Sequence, residues 1–427
     1  MSNRTRWLNL DAILFCLLCA AWYFHATVWN IIPQLSRPSD FTLYYAAARD
    51  ILAGRSPFVT EGYIYPPLLA SLLTPLAALS YVAARWVWFL VSQLCLLSAA
   101  WLMWKHMGRD WTAACSIAFV WVFGGAAVES LALGQLGPPL VLLLVIAYAQ
   151  RGWQPAAAAG FGLALKFIPG VLAAAFLLRR DWRGLLIFAI VALAFLAIPW
   201  SFTACCLDGP KAPAGTDTWT GTPAILSWSL PSAALRILDP LTPGADSLPR
   251  DWEAGNDLPH LRLPASRRWI SIGIAIATML GGFAVVAFLL QGPLSTAQLP
   301  FVMAALISLS LAAAPVAWTH YQVMQYPGVA LLLCHTWRRG PMGRSWATFA
   351  ATLACAALLY PVPVAILTEY YAKYGKWTAA SPATLYLWTS VTPLAALALF
   401  WLLLRAGAKI SNPFANKAFA NDATGVS

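Results

Sequence analysis

Charge is scarce in this sequence. Asp, Glu, Lys and Arg make up 10% of its 427 residues, against roughly 25% in ordinary soluble domains. So little polar side-chain surface cannot coat a water-soluble globule of this length. An intrinsically disordered chain is excluded as well, because disorder requires low hydrophobicity. Acidic groups are the scarcer kind, 16 against 27 Lys and Arg. In a soluble protein that excess would point to nucleic acid. Here no basic stretch interleaves with aromatics in a polar segment, so nucleic acid is not an expected partner. The eight cysteines include one C-x-x-C spacing, Cys16-Leu17-Leu18-Cys19, inside an apolar run. Cys16, Cys19, Cys95, Cys115, Cys334 and Cys355 lie in apolar runs, as small core residues do. Cys205 and Cys206 are adjacent, and adjacent cysteines rarely bond to each other. An H-E-x-x-H pair, a P-loop, a G-x-G-x-x-G turn, a G-x-S-x-G elbow and a D-x-D pair are all missing. The chain therefore shows no expected metal site, no nucleotide cradle and no serine nucleophile. Internal repeats and heptads are missing too.

Apolar residues fill the space. They make up 60% of the chain, aromatics 13%, and there are 22 Trp. Trp and Tyr favour the two membrane interfaces. The expected fold class is an all-α polytopic membrane protein, with residues 1–427 forming a single integral membrane domain.

A crossing helix needs about 20 mainly apolar residues. Trp7–Val28 meets this and is too long for a signal-peptide core. Further runs are Val82–Trp104, Trp111–Leu131, Pro138–Ala149, Leu185–Trp200, Trp269–Leu290, Leu299–Ala314, Val323–Cys334, Trp346–Leu367 and Leu385–Leu404. Basic loops then set direction, because Lys and Arg concentrate on the cytoplasmic side. Arg4 and Arg6 precede the first helix. Lys105 with Arg109, Arg151, Arg179 with Arg180 and Arg183, and Arg338 with Arg339 and Arg344 mark later loops; Arg405, Lys409 and Lys417 mark the tail. Placing all of these inside requires two irregularities. Pro66–Leu79 must not fully cross, and Ala156–Leu178 must be two short helices broken around Lys166-Phe167-Ile168-Pro169-Gly170, where Pro and Gly supply the break. The expectation is about twelve crossings, with both termini cytoplasmic and residues 405–427 as a cytoplasmic tail. Three segments then face outward: residues 33–65, with an amphipathic surface helix over Phe41–Leu52, the long loop 201–268, expected to cap the outer face, and the brief Pro315–His320 turn.

Few ionisable residues fall outside this topological scheme. A charge at a helix centre costs about 2.5–3.5 kcal/mol on insertion scales, so the survivors are informative. Asp40, in Ser39-Asp40-Phe41, suits an N-cap of the surface helix at least as well as a catalytic role. Glu129 lies near the outer end of its helix, either as a partner for Lys166 or wetted by a cavity. Gln135, between Gly134 and Gly137, fits a hairpin turn. Lys166 sits at the helix break, where snorkelling to the interface would also explain it. His320 follows Trp318 at a helix end, and a lone His is more often a satisfied hydrogen-bonding residue. The topology nevertheless puts Asp40, Gln135, Lys166 and His320 on one face. One carboxylate with several cations in a polar cavity suits an anionic phosphate ligand in lipid.

These residues also resemble a known pattern. Asp40-Phe41-Thr42-Leu43-Tyr44-Tyr45-Ala46-Ala47, then Gly54, Pro57-Phe58 and Tyr65-Pro66-Pro67-Leu68, resemble the opening motif of glycosyltransferase family 87. Gly134-Gln135 is similar to that family's Gly-Gln turn. Gly162-Leu163-Ala164-Leu165-Lys166-Phe167-Ile168-Pro169 is similar to its Leu-Lys-x-x-Pro turn, and Pro315-Val316-Ala317-Trp318-Thr319-His320 to its Pro-x-x-Trp-x-His motif. The ordered set spans about residues 35 to 335. Two positions differ. Gly137 stands where the family often has Asn, and Ser227-Trp228-Ser229 leads to Arg236 where it often has Asn-x-Ser.

The resemblance implies a C-type glycosyltransferase bundle in the bacterial plasma membrane, with its active site on the outer face. It implies a polyprenyl-phosphate sugar as donor, a hexose such as mannose as the transferred group, and a lipid or glycan as acceptor. Asp40 would be the catalytic base. His320 and Lys166 would bind the donor phosphate, while Tyr44, Tyr45, Tyr65, Gln135 and Glu129 would be candidates to line the substrate pocket. No cofactor is expected, since the lipid-linked sugar is a substrate. The competing reading is a polytopic transporter or lipid flippase, which would show inverted repeats and midplane broken helices.

Overall fold

A computed structural model describes residues 3–207, 227–238, 265–290, 292–315, 317–339, 344–360, 362–363, 365 and 382–410. Most of the expected capping loop, 208–226 and 239–264, lies outside the described residues, as does the tail beyond Ile410. Among the described residues every regular element is helical, and the only extended pairing is a bridge between Ser227 and Trp318. In chain order the helices are α1 (Asn3–Ala26), α2 (Asp40–Leu52), α3 (Pro67–Ala77), α4 (Tyr81–His106), α5 (Trp111–Phe123), α6 (Ala126–Leu133), α7 (Gly137–Ala149) and α8 (Gln154–Leu165). They continue as α9 (Ala173–Arg179), α10 (Trp182–Cys206), α11 (Leu230–Leu238), α12 (Ala265–Leu289), α13 (Leu299–Ala313), α14 (Tyr326–Arg338), α15 (Arg344–Leu359) and α16 (Pro382–Ile410).

Among the described residues five segments are long and apolar enough to cross a membrane: Leu10–Gln34, Tyr81–His106, Trp182–Cys206, Arg268–Leu289 and Ser390–Ile410. Their outer faces are apolar and uncovered. Leu17 of α1, Leu97 of α4, Leu193 of α10 and Phe288 of α12 are 61%, 64%, 64% and 77% exposed. So much bare hydrocarbon is stable only against lipid. The described residues are thus all-helical, as expected of a polytopic membrane protein, and five of their segments are full-length spans. Several runs are short apolar helices instead, and α13 shows why: every residue of Leu299–Ala313 except Ser310 is buried. A helix apolar all round and covered by neighbours need not match bilayer thickness.

Two departures from the expected helices shape the interior. Trp111–Leu131 is not one helix; α5 and α6 meet at a 55° bend. Gly125 sits there with φ +72°, and a Cβ at that position would overlap the Tyr360 ring. The loop expected from residue 201 starts later, because α10 continues through Cys206. The helix break expected around Lys166 is present. α8 ends at Leu165, Lys166 is extended, and a short 3₁₀ turn over Ile168–Leu172 leads into α9. α3 begins and ends at the same end of the bundle: Tyr45 Oη donates to the Leu79 carbonyl at 2.7 Å, and Tyr81 Oη to the Arg37 carbonyl at 3.0 Å.

The helices run alternately between two ends. α4 carries Arg85 near one end and Lys105 at the other, roughly 30 Å apart at 1.5 Å rise per residue. Asp40, Gln135, Lys166 and His320 gather at the Arg85 end. The basic turns around Lys105, Arg151 and Arg179 lie at the other.

Candidate active site

The site begins at the entry to α2. Ser39, not Asp40, holds the N-cap position, with an extended backbone (φ −156°, ψ −176°). Its N–H donates to Thr42 Oγ1 at 3.0 Å. Asp40 is the first residue of the helix, so the capping reading of Asp40 is corrected: another residue serves the helix end, and the carboxylate is free for other partners. The apolar face of α2, including Phe41, Tyr44 and Ala48, is buried, which fixes the helix against the bundle.

Gln135 Nε2 donates to Asp40 Oδ2. Tyr44 Oη donates to Gln135 Oε1 at 2.8 Å and lies 3.0 Å from Tyr65 Oη. This buried chain of polar groups fixes the carboxylate's orientation, and no described residue hydrogen-bonds its other oxygen, Oδ1. The turn carrying Gln135 is a helix end in Schellman form. Gly134 is left-handed at φ +69°, its N–H bonds the Leu131 carbonyl at 3.2 Å, and Gln135 N–H bonds the Ser130 carbonyl at 2.8 Å. Only glycine fits this position. A Cβ there would sit 2.8 Å from both the Arg85 guanidinium and Phe41 Cβ.

Arg85 is a site residue that the sequence reading passed over. It is fully buried. Its Nη2 donates to the Leu131 and Ala132 carbonyls at 2.8 and 2.6 Å, while Trp88 Nε1 donates to the Gly134 carbonyl at 2.8 Å. These two α4 side chains clamp the turn from which Gln135 reaches Asp40. The available signal was a cation within an apolar span, far from the basic loops.

Lys166 approaches from the break after α8. Its Nζ lies 3.3 Å from the centroid of the Tyr321 ring and 5.2 Å from that of Tyr65, a cation between two π faces. His320 packs edge-on against Tyr321 with centroids 4.7 Å apart. No described residue hydrogen-bonds His320 Nε2. Glu129 does not pair with Lys166; it accepts a hydrogen bond from Thr319 Oγ1 at 2.6 Å. Tyr45 is engaged elsewhere, bonded to Leu79 and stacked edge-on against Tyr81. The structure therefore brings together Asp40, Tyr44, Tyr65, Gln135, Lys166 and His320, with Glu129 on the flank and Tyr45 outside. It adds Tyr321 and Arg85. Among the described residues no group of three or more His, Cys, Asp or Glu side chains is placed to hold a metal ion.

The segment before His320 is tied down by the serines. Trp228 N–H donates to the Ala317 carbonyl at 2.6 Å, Ala317 N–H to Ser227 Oγ at 3.2 Å, and Ser232 Oγ to the Pro315 carbonyl at 3.3 Å. Ser227, Trp228 and Ser232 thus brace Pro315 and Ala317, just before His320.

Burial dominates the electrostatics. It raises Asp40 above the usual carboxylate range, opposed by the Gln135 hydrogen bond and then by the Lys166 and Arg85 cations. It drives Lys166 well below its ordinary value, with Asp40 opposing. His320 is pushed well down by burial and then by Lys166, so its imidazole is neutral at neutral pH. A pocket that disfavours its own charges in this way gains from an anion beside Lys166 and a proton-bearing group beside Asp40.

Residues 63–228 match the model of glycosyltransferase family 87. That stretch includes Tyr65, Arg85, Glu129, Gln135 and Lys166, and leaves Asp40 and His320 outside it. The chain is also 26% identical over 408 residues, 88% of either chain, to the polyprenol-phosphate-mannose-dependent alpha-(1-2)-phosphatidylinositol mannoside mannosyltransferase of Mycobacterium tuberculosis. A protein of the same description from Mycolicibacterium smegmatis is 26% identical over 384 residues, 80% of this chain and 79% of that one.

Proposed function

We propose that this chain, with its match to glycosyltransferase family 87, is a membrane glycosyltransferase. It moves a hexose from a polyprenyl-phosphate donor to a lipid or glycan acceptor, with Asp40 as base. The two mannosyltransferase relatives favour mannose as the sugar and a phosphatidylinositol mannoside as the acceptor class. One observation carries the reading. A lone carboxylate is oriented by the Gln135–Tyr44–Tyr65 chain, beside an ammonium held between Tyr65 and Tyr321.

The reaction is a single displacement. Asp40 takes the proton from the acceptor hydroxyl, and that oxygen bonds the anomeric carbon. The bond from this carbon to the phosphate oxygen breaks, its electron pair leaving with the polyprenyl phosphate. The stereochemistry inverts. Because the phosphate leaves as a stable anion, no acid is needed, and one carboxylate does what requires two in a glycosidase. Lys166 meets the charge growing on the leaving phosphate. An anion beside it raises the proton affinity that burial depresses. His320, neutral and with Nε2 unpartnered among the described residues, offers a further hydrogen bond to the phosphate oxygens.

In this reading the Arg85 end of the bundle faces outward and the basic turns face the cytoplasm, as do both termini. The shorter apolar helices complete the path back and forth. Transfer assays with purified protein, a polyprenyl-phosphate sugar and lipid acceptors test the activity. Product formation that requires the lipid-linked donor supports it, and turnover of sugar nucleotides alone contradicts it.

A further inference from the structure

A second cavity, of about 990 Å³, opens at the end of the bundle opposite Asp40. Four cations line it: Lys105 in the last turn of α4, Arg151 in the turn before α8, Arg179 at the end of α9 and Arg183 in the first turn of α10. The one lining carboxylate is Asp181, and its Oδ1 is occupied, accepting Gly184 N–H at 2.8 Å as the cap of α10. Among the described residues none of the four cations forms a salt bridge. Arg179 reaches only the Thr296 hydroxyl at 3.5 Å, and Lys105 Nζ rests 4.3 Å from the centroid of the Trp101 ring. Arg338, at the same end but outside the cavity, behaves differently: it pairs with Asp110 at 2.7 Å.

Basic loops orient helices wherever on the cytoplasmic side they lie, so orientation explains their number but not their convergence on one concavity. The turn holding two of them is also rigid. Arg180 is left-handed at φ 58°, its N–H bonds the Leu177 carbonyl at 2.9 Å, and Asp181 N–H bonds the Phe176 carbonyl at 2.9 Å. Four unpaired cations held around one space repel each other, and an anion relieves that repulsion. The floor of the space is apolar, formed by Phe176, Ile187 and Leu299. Beside it the flank of α10 is bare, with Leu186, Ile190 and Leu193 59%, 57% and 64% exposed. Cations over an apolar floor, opening onto a bare helix flank at the membrane surface, match an amphiphile with a phosphate at its head. A volume of about 990 Å³ far exceeds the needs of a lone phosphate ion.

We propose that this cavity binds the phosphate-bearing headgroup of a membrane lipid, with the acyl chains lying along α10. The site is separate from the donor site, since it lies at the far end of α4.

Native mass spectrometry of the full-length protein in neutral detergent, titrated with phosphatidylglycerol or phosphatidylcholine, tests this. Phosphatidylglycerol should be retained preferentially. The pair Arg179→Gln with Arg183→Gln should weaken its binding at least fivefold. Lys105→Gln with Arg151→Gln, on other elements, should do the same and covers the case in which the first pair fails to fold. An equal removal of charge outside the cavity, Arg109→Gln with Arg339→Gln, should leave binding unchanged. Undiminished binding by a folded cavity variant overturns the proposal, and so does an equal loss in the control pair, which would signal general attraction to basic loops. Displacement of phosphatidylglycerol by an equal concentration of inorganic phosphate overturns it in favour of a free-anion site.

Discussion

Gln135 gives the site its sharpest handle at the scale of single residues. Its amide lowers a carboxylate that burial has raised. Replacing it by Leu leaves Asp40 with less stabilisation of the charged form, so its proton affinity climbs further. The base works only when ionised. The transfer rate of the native protein should therefore rise with pH through a midpoint above the ordinary carboxylate range, and Gln135→Leu should move that limb to higher pH. A pH profile of kcat/KM checks this, and an unmoved limb counts against Asp40 as the titrating base. Lys166 acts through charge. Lys166→Met should raise KM for the lipid-linked donor about tenfold or more, the scale of losing a charge-assisted hydrogen bond, while Lys166→Arg should recover part of the loss. Much of this was legible in the sequence, because charges in an apolar chain stand out. Asp40, Lys166 and His320 did so. What their surroundings did to them was not legible. Nothing in Ser39-Asp40-Phe41 reveals that Ser39 takes the cap, nor does spacing give Glu129 to Thr319 rather than to Lys166. Those pairings depend on which helices pack together.

The site is assembled by breaks between elements rather than by the elements themselves. The bend at Gly124-Gly125, the left-handed Gly134 and the interruption after Leu165 each end a helix where a functional side chain is needed. Gly134→Ala should cost at least about 1 kcal/mol from the left-handed backbone alone, and more because Arg85 and Phe41 must retreat. A lowered Tm in detergent, accompanied by lost transfer, is the expected result; wild-type stability would mean that the turn is looser than its hydrogen bonds indicate. The Lys166 break was readable from Pro169 and Gly170. The bend in Trp111–Leu131 was not, since a Gly pair inside an apolar run is common and only the Tyr360 ring against Gly125 shows its purpose. Arg85 was hidden similarly. It looks like one polar residue in a long helix until the Leu131 and Ala132 carbonyls are found against it.

For the whole molecule, scarcity of charge sorted the chain into a membrane class, and the bare flanks of α1, α4, α10 and α12 agree with it. Apolar runs are a coarser guide to the crossings, because a covered helix such as α13 and a lipid-facing one such as α10 have similar composition and different lengths. Sidedness has a direct check. Cys205 and Cys206 are exposed free thiols at the end of α10, and nearby Trp200 meets Phe58 of the segment after α2 at 5.5 Å, so they belong to the Asp40 end. A membrane-impermeant maleimide added outside intact cells should label them; protection until the membrane is opened would reverse the orientation. The central claim concerns chemistry and rests on Asp40. Reconstituted in lipid vesicles with polyprenyl-phosphate mannose and a phosphatidylinositol mannoside acceptor, the native protein should transfer mannose. Asp40→Asn should be folded and lose about 10²–10⁴-fold in rate, the usual share of a general base. Transfer by Asp40→Asn at the native rate would contradict the account.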